Sequence, residues 1–259
     1  MTDARPETKL QIRIVPVTPL QQNCSLIWDT NTKHAVFVDP GGDVDTLMGA
    51  LEHFGLTLKE MWLTHGHLDH SAGARLFAEA AGCTVQALDP AHQYGSEGLV
   101  GGDVIDESGV EIHVVATPGH TSDSLSFYLP QDGSILTGDT VLGRGTTVVA
   151  YPDGTLVEYL DSLHRLRELI ADSHVSTILP GHGPTLNQPD EVIDYYLAHR
   201  HERLDQVRAA VSELDVAELP VEDVAQRVVE SVYADVPRAV WPLALLSVRA
   251  QLEYLATRR

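Results

Sequence analysis

The sequence predicts an α/β protein in which helices cover packed sheets, with a small all-helical region at its C-terminal end. Short strand-like apolar segments alternate with helical segments as far as about residue 187, an order typical of layered sheets and helices. Beyond that point the pattern is almost continuously helical, and no glycine follows Gly183. A cluster of histidines stands directly after one apolar segment and marks the part of the fold that carries chemistry.

The first part of the chain begins with strands and then alternates between strands and helices. Alternating or continuous apolar residues predict strands at 10–17, 24–29, 34–38 and 59–63. Helical periodicity predicts helices over 44–54 and 71–81. The histidine cluster therefore lies on a turn that leads from a strand into a helix.

The rest of the chain repeats this order and then becomes helical. Strands are predicted at 83–87, 110–116, 124–129, 134–138 and 175–179, and an amphipathic helix at 156–170. Further helices are predicted over about 190–213, 221–233 and 238–256. We therefore expect a catalytic domain in residues 1–187 and a helical domain in residues 188–259.

Charge and cysteine content limit the classes of partner and compartment. Thirty-seven acidic and 17 basic residues give a net charge of −20, which repels phosphate backbones and acidic membrane surfaces at long range. The two cysteines, Cys24 and Cys83, are too few for a disulfide framework and are expected to pack in the core. Residues 1–7 lack the apolar core of a signal peptide, and no apolar run reaches membrane-spanning length. We expect a cytoplasmic protein without a membrane partner.

The most informative segment is the run from Thr64 to His70, THGHLDH, which follows an apolar stretch. Alternate residues of an extended chain share a face, so the rings of His65 and His67 point to one side. The turn then brings Asp69 beside them. Imidazole and carboxylate groups bind zinc and similar divalent ions, and a site without thiolates that keeps a position for water is of the catalytic kind. The segment predicts a metal-dependent hydrolase.

Later segments offer further ligands at the ends of apolar strands, each preceded by glycine: His120, Asp139 and His182. Glycine allows the tight turn and the close approach of backbone that a metal site needs. Other catalytic classes are less well supported, because the sequence contains no Gly-x-Ser-x-Gly segment and no phosphate-binding loop that ends in Lys-Ser or Lys-Thr.

In these ordered motifs the sequence, from about residue 10 to residue 184, resembles the metallo-β-lactamase-fold hydrolases. The resemblance implies a four-layered αββα fold that holds two Zn²⁺ ions, although Fe or Mn suits the same ligands. The implied ligands are, for the first ion, His65, His67 and His120, for the second ion, Asp69, His70 and His182, and between the two ions, Asp139. Asp39 matches an early aspartate of the family that supports the metal site from behind the ligands.

Two divalent ions that share a water lower its pKa towards neutrality and polarise the substrate oxygen that gains charge on attack. We therefore expect a dinuclear hydrolase with a metal-bridging hydroxide as its nucleophile. Asp69 is the expected catalytic residue, since it can orient this hydroxide and accept its proton.

Two branches of the family share features with this chain. Residues 15–29 and 38–42 resemble glyoxalase-II-type thioester hydrolases, which implies a hydroxyacylglutathione-hydrolase-like activity. Residues 138–147, residues 180–184 and the helix that contains residues 199–203 resemble the lactamase-B-like branch, some members of which cut single-stranded RNA. The acidic charge is unfavourable for an RNA groove. We expect a small acyl or thioester substrate, and endoribonuclease or phosphodiesterase activity is the alternative.

The helical C-terminal domain is similar to a winged helix with a reduced wing, and we expect it to form a lid or wall of the metal cleft. His199 and Arg203 share a helix face and, with Arg200, can hold an anionic substrate group. Thr146 and Thr147 are further candidates for substrate contact. The sequence is also compatible with a homodimer.

Three other readings fit less well. A sulfur dioxygenase of the same fold, which holds a single iron ion, needs fewer metal ligands than the sequence offers. A flavodiiron protein carries a flavodoxin-like domain, which this sequence lacks, and a non-enzymatic binding module conflicts with the full ligand set. The expected partner is therefore a small-molecule substrate, with RNA disfavoured by charge.

Overall fold

The structure, a computed structural model, describes residues 10–107, 110–214 and 219–258. Within these ranges it contains two five-stranded sheets and seven α-helices. Residues 1–7, whose composition argued against a signal peptide, lie outside the described part of the chain. In the described residues, no helix is both long and apolar enough to cross a membrane.

The first sheet contains, in spatial order, β1 (Leu10–Val17), β2 (Gln22–Asp29), β3 (His34–Val38), β4 (Thr57–Trp62) and β5 (Thr84–Gln86). The second contains, in spatial order, β10 (Thr177–Pro180), β9 (Ser134–Gly138), β8 (Leu125–Leu129), β7 (Val110–Ala116) and β6 (Val104–Glu107). The helices are α1 (Val44–Phe54), α2 (Leu68–Ser71), α3 (Ala74–Ala81), α4 (Leu156–Asp172), α5 (Pro189–Glu213), α6 (Val221–Val232) and α7 (Trp241–Thr257).

Both sheets are mixed. Strands β1, β2 and β3 pair antiparallel, whereas β4 and β5 follow in parallel after helical crossovers. In the second sheet β6 to β9 are antiparallel, and α4 crosses over to the parallel strand β10. Parallel neighbours bring successive loops to the same edge of a sheet, which is the edge where the candidate ligands lie.

Apolar contacts order the fold into four layers. Phe37 of the first sheet packs on Phe77 of α3, with 5.7 Å between the ring centres. Between the sheets, the ring of Trp62 lies 5.8 Å from that of Phe127. On the far side of the second sheet Ile178 shares a buried cluster with Leu163 of α4. The predicted αββα arrangement, with helices on the outer faces of two packed sheets, is confirmed.

Helix α4 illustrates why the local sequence forms these elements. The hydroxyl of Thr155 accepts a hydrogen bond from the backbone N–H of Glu158 at 3.2 Å and donates to the Glu158 carboxylate at 2.9 Å. The first of these bonds satisfies a backbone N–H group that is otherwise free at the helix start. Buried residues then recur at helical spacing from Tyr159 to Ile170 and hold the helix on the sheet.

The C-terminal helices α5, α6 and α7 pack both on the sheets and on each other. The first part of α5 contributes Ile193 and Tyr196 to the cluster that contains α4. Further along, Val207 packs against Val228 of α6 and Val248 of α7. No strand lies between these helices in their described residues. The division of the chain at residues 187 and 188 stays a prediction.

Two elements differ from the expectations drawn from the sequence. The helix predicted over 71–81 already starts at Leu68 and is interrupted before Ala74, because the N–H of Gly73 donates to the carbonyl oxygen of Gly41 at 2.6 Å. A Cβ atom at residue 73 would stand 2.6 Å from that same oxygen, so only glycine fits there. Strand β6 was not predicted, since it is a short edge strand that pairing with β7 stabilises.

Candidate metal centre

The candidate ligands lie on loops at the ends of strands from both sheets. The segment after β4 carries His65 and His67 and continues into α2 with Asp69 and His70. The other sheet supplies the remaining candidates after β7, β9 and β10, namely His120, Asp139 and His182. Residues far apart in sequence therefore converge at one edge of the two sheets.

The first group consists of His65, His67 and His120. Nε2 of His65 lies 3.1 Å from Nδ1 of His67, and Nε2 of His120 lies 3.0 Å from that same atom. Three ring nitrogens at this separation would repel one another if each carried a proton. Their lone pairs instead suit one shared cation.

The second group consists of Asp69, His70 and His182. Oδ2 of Asp69 lies 3.1 Å from Nε2 of His182 and 3.7 Å from Nε2 of His70. The ligand atoms of the group all lie within 4.8 Å of one another. This is the carboxylate and imidazole set that was predicted for a second ion.

Asp139 lies between the two groups. Its Oδ2 lies 3.8 Å from Nε2 of His120 in the first group. Its Oδ1 lies 3.4 Å from Nε2 of His70 and 3.7 Å from Nε2 of His182 in the second. Each carboxylate oxygen thus faces one group, so the structure brings all seven predicted ligands together. Their binding of metal stays a prediction.

Hydrogen bonds orient the rings of three histidines. Nδ1 of His120 donates to the carbonyl oxygen of Val148 at 2.7 Å. Nδ1 of His70 donates to Oδ2 of Asp39 at 2.9 Å, and Nδ1 of His65 lies 3.0 Å from the hydroxyl of Thr64. In its neutral form, a ring that donates from Nδ1 has its lone pair on Nε2, the atom that faces the ligand groups.

Asp39 lies behind the candidate ligands and contacts one of them, His70, while its support of a metal site stays a prediction. Its carboxylate accepts a hydrogen bond from the backbone N–H of Thr64 at 2.7 Å and another from the Thr64 hydroxyl at 2.7 Å, besides that from His70. The side chain is buried, and the residue has φ +55°, a left-handed conformation that aspartate tolerates better than most residues. One carboxylate thus connects the segment after β4 with α2.

The electrostatics of the site favour ionised carboxylates. Hydrogen bonding by His182 is the main cause that lowers the pKa of Asp69 to about 2. Burial lowers the pKa of His70, but the carboxylates of Asp39 and Asp139 outweigh burial and raise that pKa to about 10. Asp69 is therefore negatively charged at neutral pH, the state in which a carboxylate binds a cation.

Buried polar atoms that form no hydrogen bond indicate that the residues fit a metal. Nε2 of His70 and Oδ1 of Asp139 lie 3.4 Å apart, but both are buried and neither forms a hydrogen bond among the described residues. An unsatisfied buried polar group costs about 1–3 kcal/mol, which a ligand bound between the two atoms would offset. Imidazoles and carboxylates without thiolates suit zinc, iron and manganese alike.

The glycine before His182 keeps this space open. A Cβ atom on Gly181 would lie 2.6 Å from Oδ1 of Asp139 and 2.8 Å from Cε1 of His70. Any side chain there would displace a candidate ligand. The close approach that the Gly-His pattern predicted is therefore present at this position.

The five residues predicted to contact substrate do not form one cluster. Oγ1 of Thr146 lies 3.4 Å from Nε2 of His199, and both side chains are half-buried. The guanidinium of Arg203 stacks on the ring of Tyr233 at 4.5 Å and donates to the carbonyl oxygen of Val232 at 2.9 Å, so it is directed towards the end of α6.

Thr147 and Arg200 are both buried. The Thr147 hydroxyl donates to the carbonyl oxygen of Asp139, and the Arg200 guanidinium donates to the carbonyl oxygen of Thr147. These two side chains contact the loop that carries a candidate ligand. For all five residues, contact with substrate stays a prediction.

A cleft of about 530 Å³ adjoins the second group. His182 forms part of its wall, together with Leu20, Arg144 and Pro184. The sequence analysis missed Leu20 and Arg144, although Arg144 lies inside the segment 138–147 that carried one of the resemblances. A larger cavity of about 640 Å³ lies between α5 and α7, and no candidate ligand lines it.

Comparison with known proteins gives a consistent result. The sequence profile of the Metallo-beta-lactamase superfamily matches residues 17–182. Hydroxyacylglutathione hydrolase GloC of Haemophilus influenzae is 29% identical over 196 residues, which cover 67% of this chain and 91% of that protein. Atrochrysone carboxyl ACP thioesterase of Aspergillus fumigatus is 33% identical over 172 residues, which cover 64% of this chain but only 50% of the thioesterase.

The fold extends through the C-terminal helices in a solved structure. A metallo-beta-lactamase family protein from Thermus thermophilus superposes with a TM-score of 0.75 at 22% identity, covering 96% of this chain and 93% of that protein. At this identity the likeness concerns the fold alone. It includes the helices that follow the ligand-bearing loops.

Proposed function

We propose that the chain, which belongs to the metallo-beta-lactamase superfamily and is a metal-dependent hydrolase of that superfamily, hydrolyses small acyl thioesters. We further propose that it uses two bound zinc ions for this reaction. The observation that carries the dinuclear part is the position of Asp139, which turns one carboxylate oxygen towards each group of candidate ligands. A single metal site would need no such carboxylate between two sets of imidazoles.

The residues divide into two proposed metal sites. His65, His67 and His120 would hold one ion, and Asp69, His70 and His182 the other, with Asp139 shared between them. When bound, such a pair of ions supplies a water of lowered pKa and polarises the substrate carbonyl.

The protein side chains orient the reactants. Asp69 is partly exposed and carries its negative charge at neutral pH, so it can accept a hydrogen bond from the attacking water and direct it at the carbonyl carbon. Asp39 holds the ring of His70 through Nδ1, and the carbonyl of Val148 does the same for His120. These contacts prepare the site before substrate arrives, which lowers the cost of reorganisation during reaction.

Thioesters are the proposed substrate class for two reasons. Two relatives with different carrier groups in their names, a hydroxyacylglutathione hydrolase and an ACP thioesterase, share the matched region with this chain. The cleft beside His182 also combines the apolar side chains Leu20 and Pro184 with the cationic Arg144, which suits an acyl compound with an anionic end. The net charge of −20 opposes the binding of a long phosphate backbone.

The test combines metal analysis with a panel of substrates. We expect two equivalents of zinc per chain and hydrolysis of lactoyl thioesters in preference to a phosphodiester, a single-stranded RNA and a chromogenic cephalosporin. Asp139→Asn should lose most of this activity, while Asp45→Asn, an exposed change on α1, should not. A purified chain that takes up no metal, or that cleaves only RNA, would overturn the proposal.

The proposed partner is the small-molecule substrate alone. A homodimer and a cytoplasmic location stay predictions, which gel filtration with light scattering and cell fractionation can test.

A further inference from the structure

Arg200 is almost completely buried, whereas an arginine that binds substrate must be accessible from the cleft. It lies on α5 with 5% of its surface exposed, and its Nε atom has no hydrogen-bond partner among the residues that the structure describes. Its guanidinium stacks on the ring of Tyr159 with 4.7 Å between the cation and the ring centre. Burying a guanidinium is costly, and no carboxylate forms an ion pair with it in the described part of the chain. Another contact must therefore offset the cost of burying this guanidinium.

That contact is with the loop formed by residues 139–147, which we call the Asp139 loop. The guanidinium of Arg200 donates to the carbonyl oxygen of Thr147 at the end of this loop. The hydroxyl of Thr147 lies 2.7 Å from the carbonyl oxygen of Asp139 and 3.1 Å from that of Thr140. A chain of hydrogen bonds thus leads from α5 to the backbone of the residue that faces both ligand groups.

Two tyrosines restrain the same loop from the helices. The hydroxyl of Tyr159 on α4 donates to the carbonyl oxygen of Thr140 at 2.7 Å. The hydroxyl of Tyr196, one helical turn before Arg200, accepts from the N–H of Leu142 at 2.8 Å. The loop is therefore fixed near its start, its middle and its end by side chains of the two helices that pack behind it.

We propose that Arg200 is a positioning residue for the metal centre. Arg200 holds Thr147, and Thr147 in turn holds the backbone of Asp139. This inference rests on the proposed function, because it assigns Arg200 to the geometry of the proposed bridging ligand. It also assigns a role to α5 other than covering the cleft, since the helix sets the position of a carboxylate that both groups of ligands share.

Arg203 provides a matched control on the same helix. Its guanidinium also stacks on a tyrosine, Tyr233, at 4.5 Å, and it also donates to a backbone carbonyl oxygen, that of Val232. Among the described residues, Arg203 has no hydrogen bond or ring contact with the Asp139 loop. Arg200→Met and Arg203→Met therefore each remove one stacked guanidinium and its bond to a carbonyl, and only the first removes a contact with the Asp139 loop.

The experiment measures zinc affinity by competition with a chelating dye, and the visible absorption of the Co²⁺-substituted protein. We expect Arg200→Met to weaken zinc binding about 10- to 100-fold, the usual effect of removing a group that orients metal ligands, and to alter the Co²⁺ spectrum. Arg203→Met should leave both readouts at the wild-type values. Arg200→Lys, which keeps a donor but not the planar fork, should lie between Arg200→Met and wild type.

Thr147→Val keeps the side-chain shape and removes only the hydroxyl, so it tests the next step of the same chain and remains informative if Arg200→Met does not fold. It should weaken zinc binding in the same direction as Arg200→Met. Equal zinc affinities of Arg200→Met and Arg203→Met, or a wild-type affinity in Thr147→Val, would overturn the inference. A wild-type chain that binds no zinc would instead overturn the proposed function, so the two failures are distinguishable.

Discussion

Replacing Asp39 by asparagine tests the buried hydrogen bonds behind the metal centre. The carboxylate accepts three of them, two from Thr64 and one from Nδ1 of His70 at 2.9 Å. In Asp39→Asn the amide oxygen can still accept from the backbone N–H of Thr64, whose hydroxyl can reverse and accept from the new amide. The bond to His70 is lost, because an amide N–H would then face a ring N–H.

The expected cost follows from that single bond. A hydrogen bond to a charged group contributes about 1.5–3 kcal/mol, so Asp39→Asn should lower the free energy of unfolding by about 2 kcal/mol. Asparagine tolerates the left-handed conformation at φ +55° as aspartate does, so the backbone adds nothing. Asp39→Ala removes all three bonds and adds about 1–2 kcal/mol for alanine in that conformation, for a total of about 4 kcal/mol or more.

The effect should also depend on pH with a definite sign. The pKa of His70 rises from 6.5 to about 10 in the folded chain, partly through Asp39. A raised pKa stabilises the fold fully below 6.5, and this stabilisation is lost as the pH rises to about 10. The difference between wild type and Asp39→Asn should therefore be largest in mild acid and shrink in alkali.

The assay is urea unfolding of the metal-free proteins with a chelator present, followed by circular dichroism. Asp45→Asn, an exposed change in the first turn of α1, is the control and should cost at most about 1 kcal/mol, because only the interaction of its charge with the helix dipole is lost. The reasoning fails if Asp39→Asn is as stable as that control, if it costs as much as Asp39→Ala, or if the difference grows in alkali.

Three further results are expected. Gly181→Ala places its Cβ 2.6 Å from a candidate ligand oxygen and should weaken zinc binding about 10-fold or more, whereas Gly42→Ala, whose Cβ meets nothing within 4 Å, should match wild type by dye competition. Zinc at about 100 times its Kd should raise the free energy of unfolding by about 2.7 kcal/mol for each ion bound, and an unchanged melting temperature would contradict metal binding by the folded chain. Burial raises the pKa of the Cys83 thiol to about 11 and that of the Cys24 thiol well above its usual range. Neither thiol should therefore react with a disulfide reagent until denaturant is added. Rapid labelling of the native chain would refute the packing of the two cysteines in the core.

Much of the fold could be predicted because the relevant signals are local. The strands at 34–38 and 134–138 have the predicted bounds, since apolar residues on both faces mark a strand that is covered on two sides. Strand 10–17 also has the predicted bounds, although it lies at the sheet edge and is only partly buried. Strand β6 escaped because an exposed edge strand has little apolar pattern and forms through its partner. The break before Ala74 escaped because it arises from contact with Gly41, a residue distant in sequence.

The candidate ligands were also visible in the sequence, because the requirement for imidazole, carboxylate and small neighbouring residues is chemical and short in range. His65 to His70 form one segment, and glycine precedes each later ligand. The orienting groups were only partly visible. Asp39 was identified through resemblance, whereas the backbone carbonyl of Val148, which holds His120, has no side-chain signature in any sequence.

Arg200 and Arg203 show where the sequence stops being informative. Both are arginines of one helix, and the pattern of charges fits either an anion site shared with His199 or a solvated helix surface. The sequence alone determined that both arginines lie on a helix, and it identified the candidate metal ligands. Only the tertiary structure decided that one guanidinium turns inward to the Asp139 loop and the other towards α6, because that choice depends on which backbone carbonyl each helix face meets after the sheets and helices have packed.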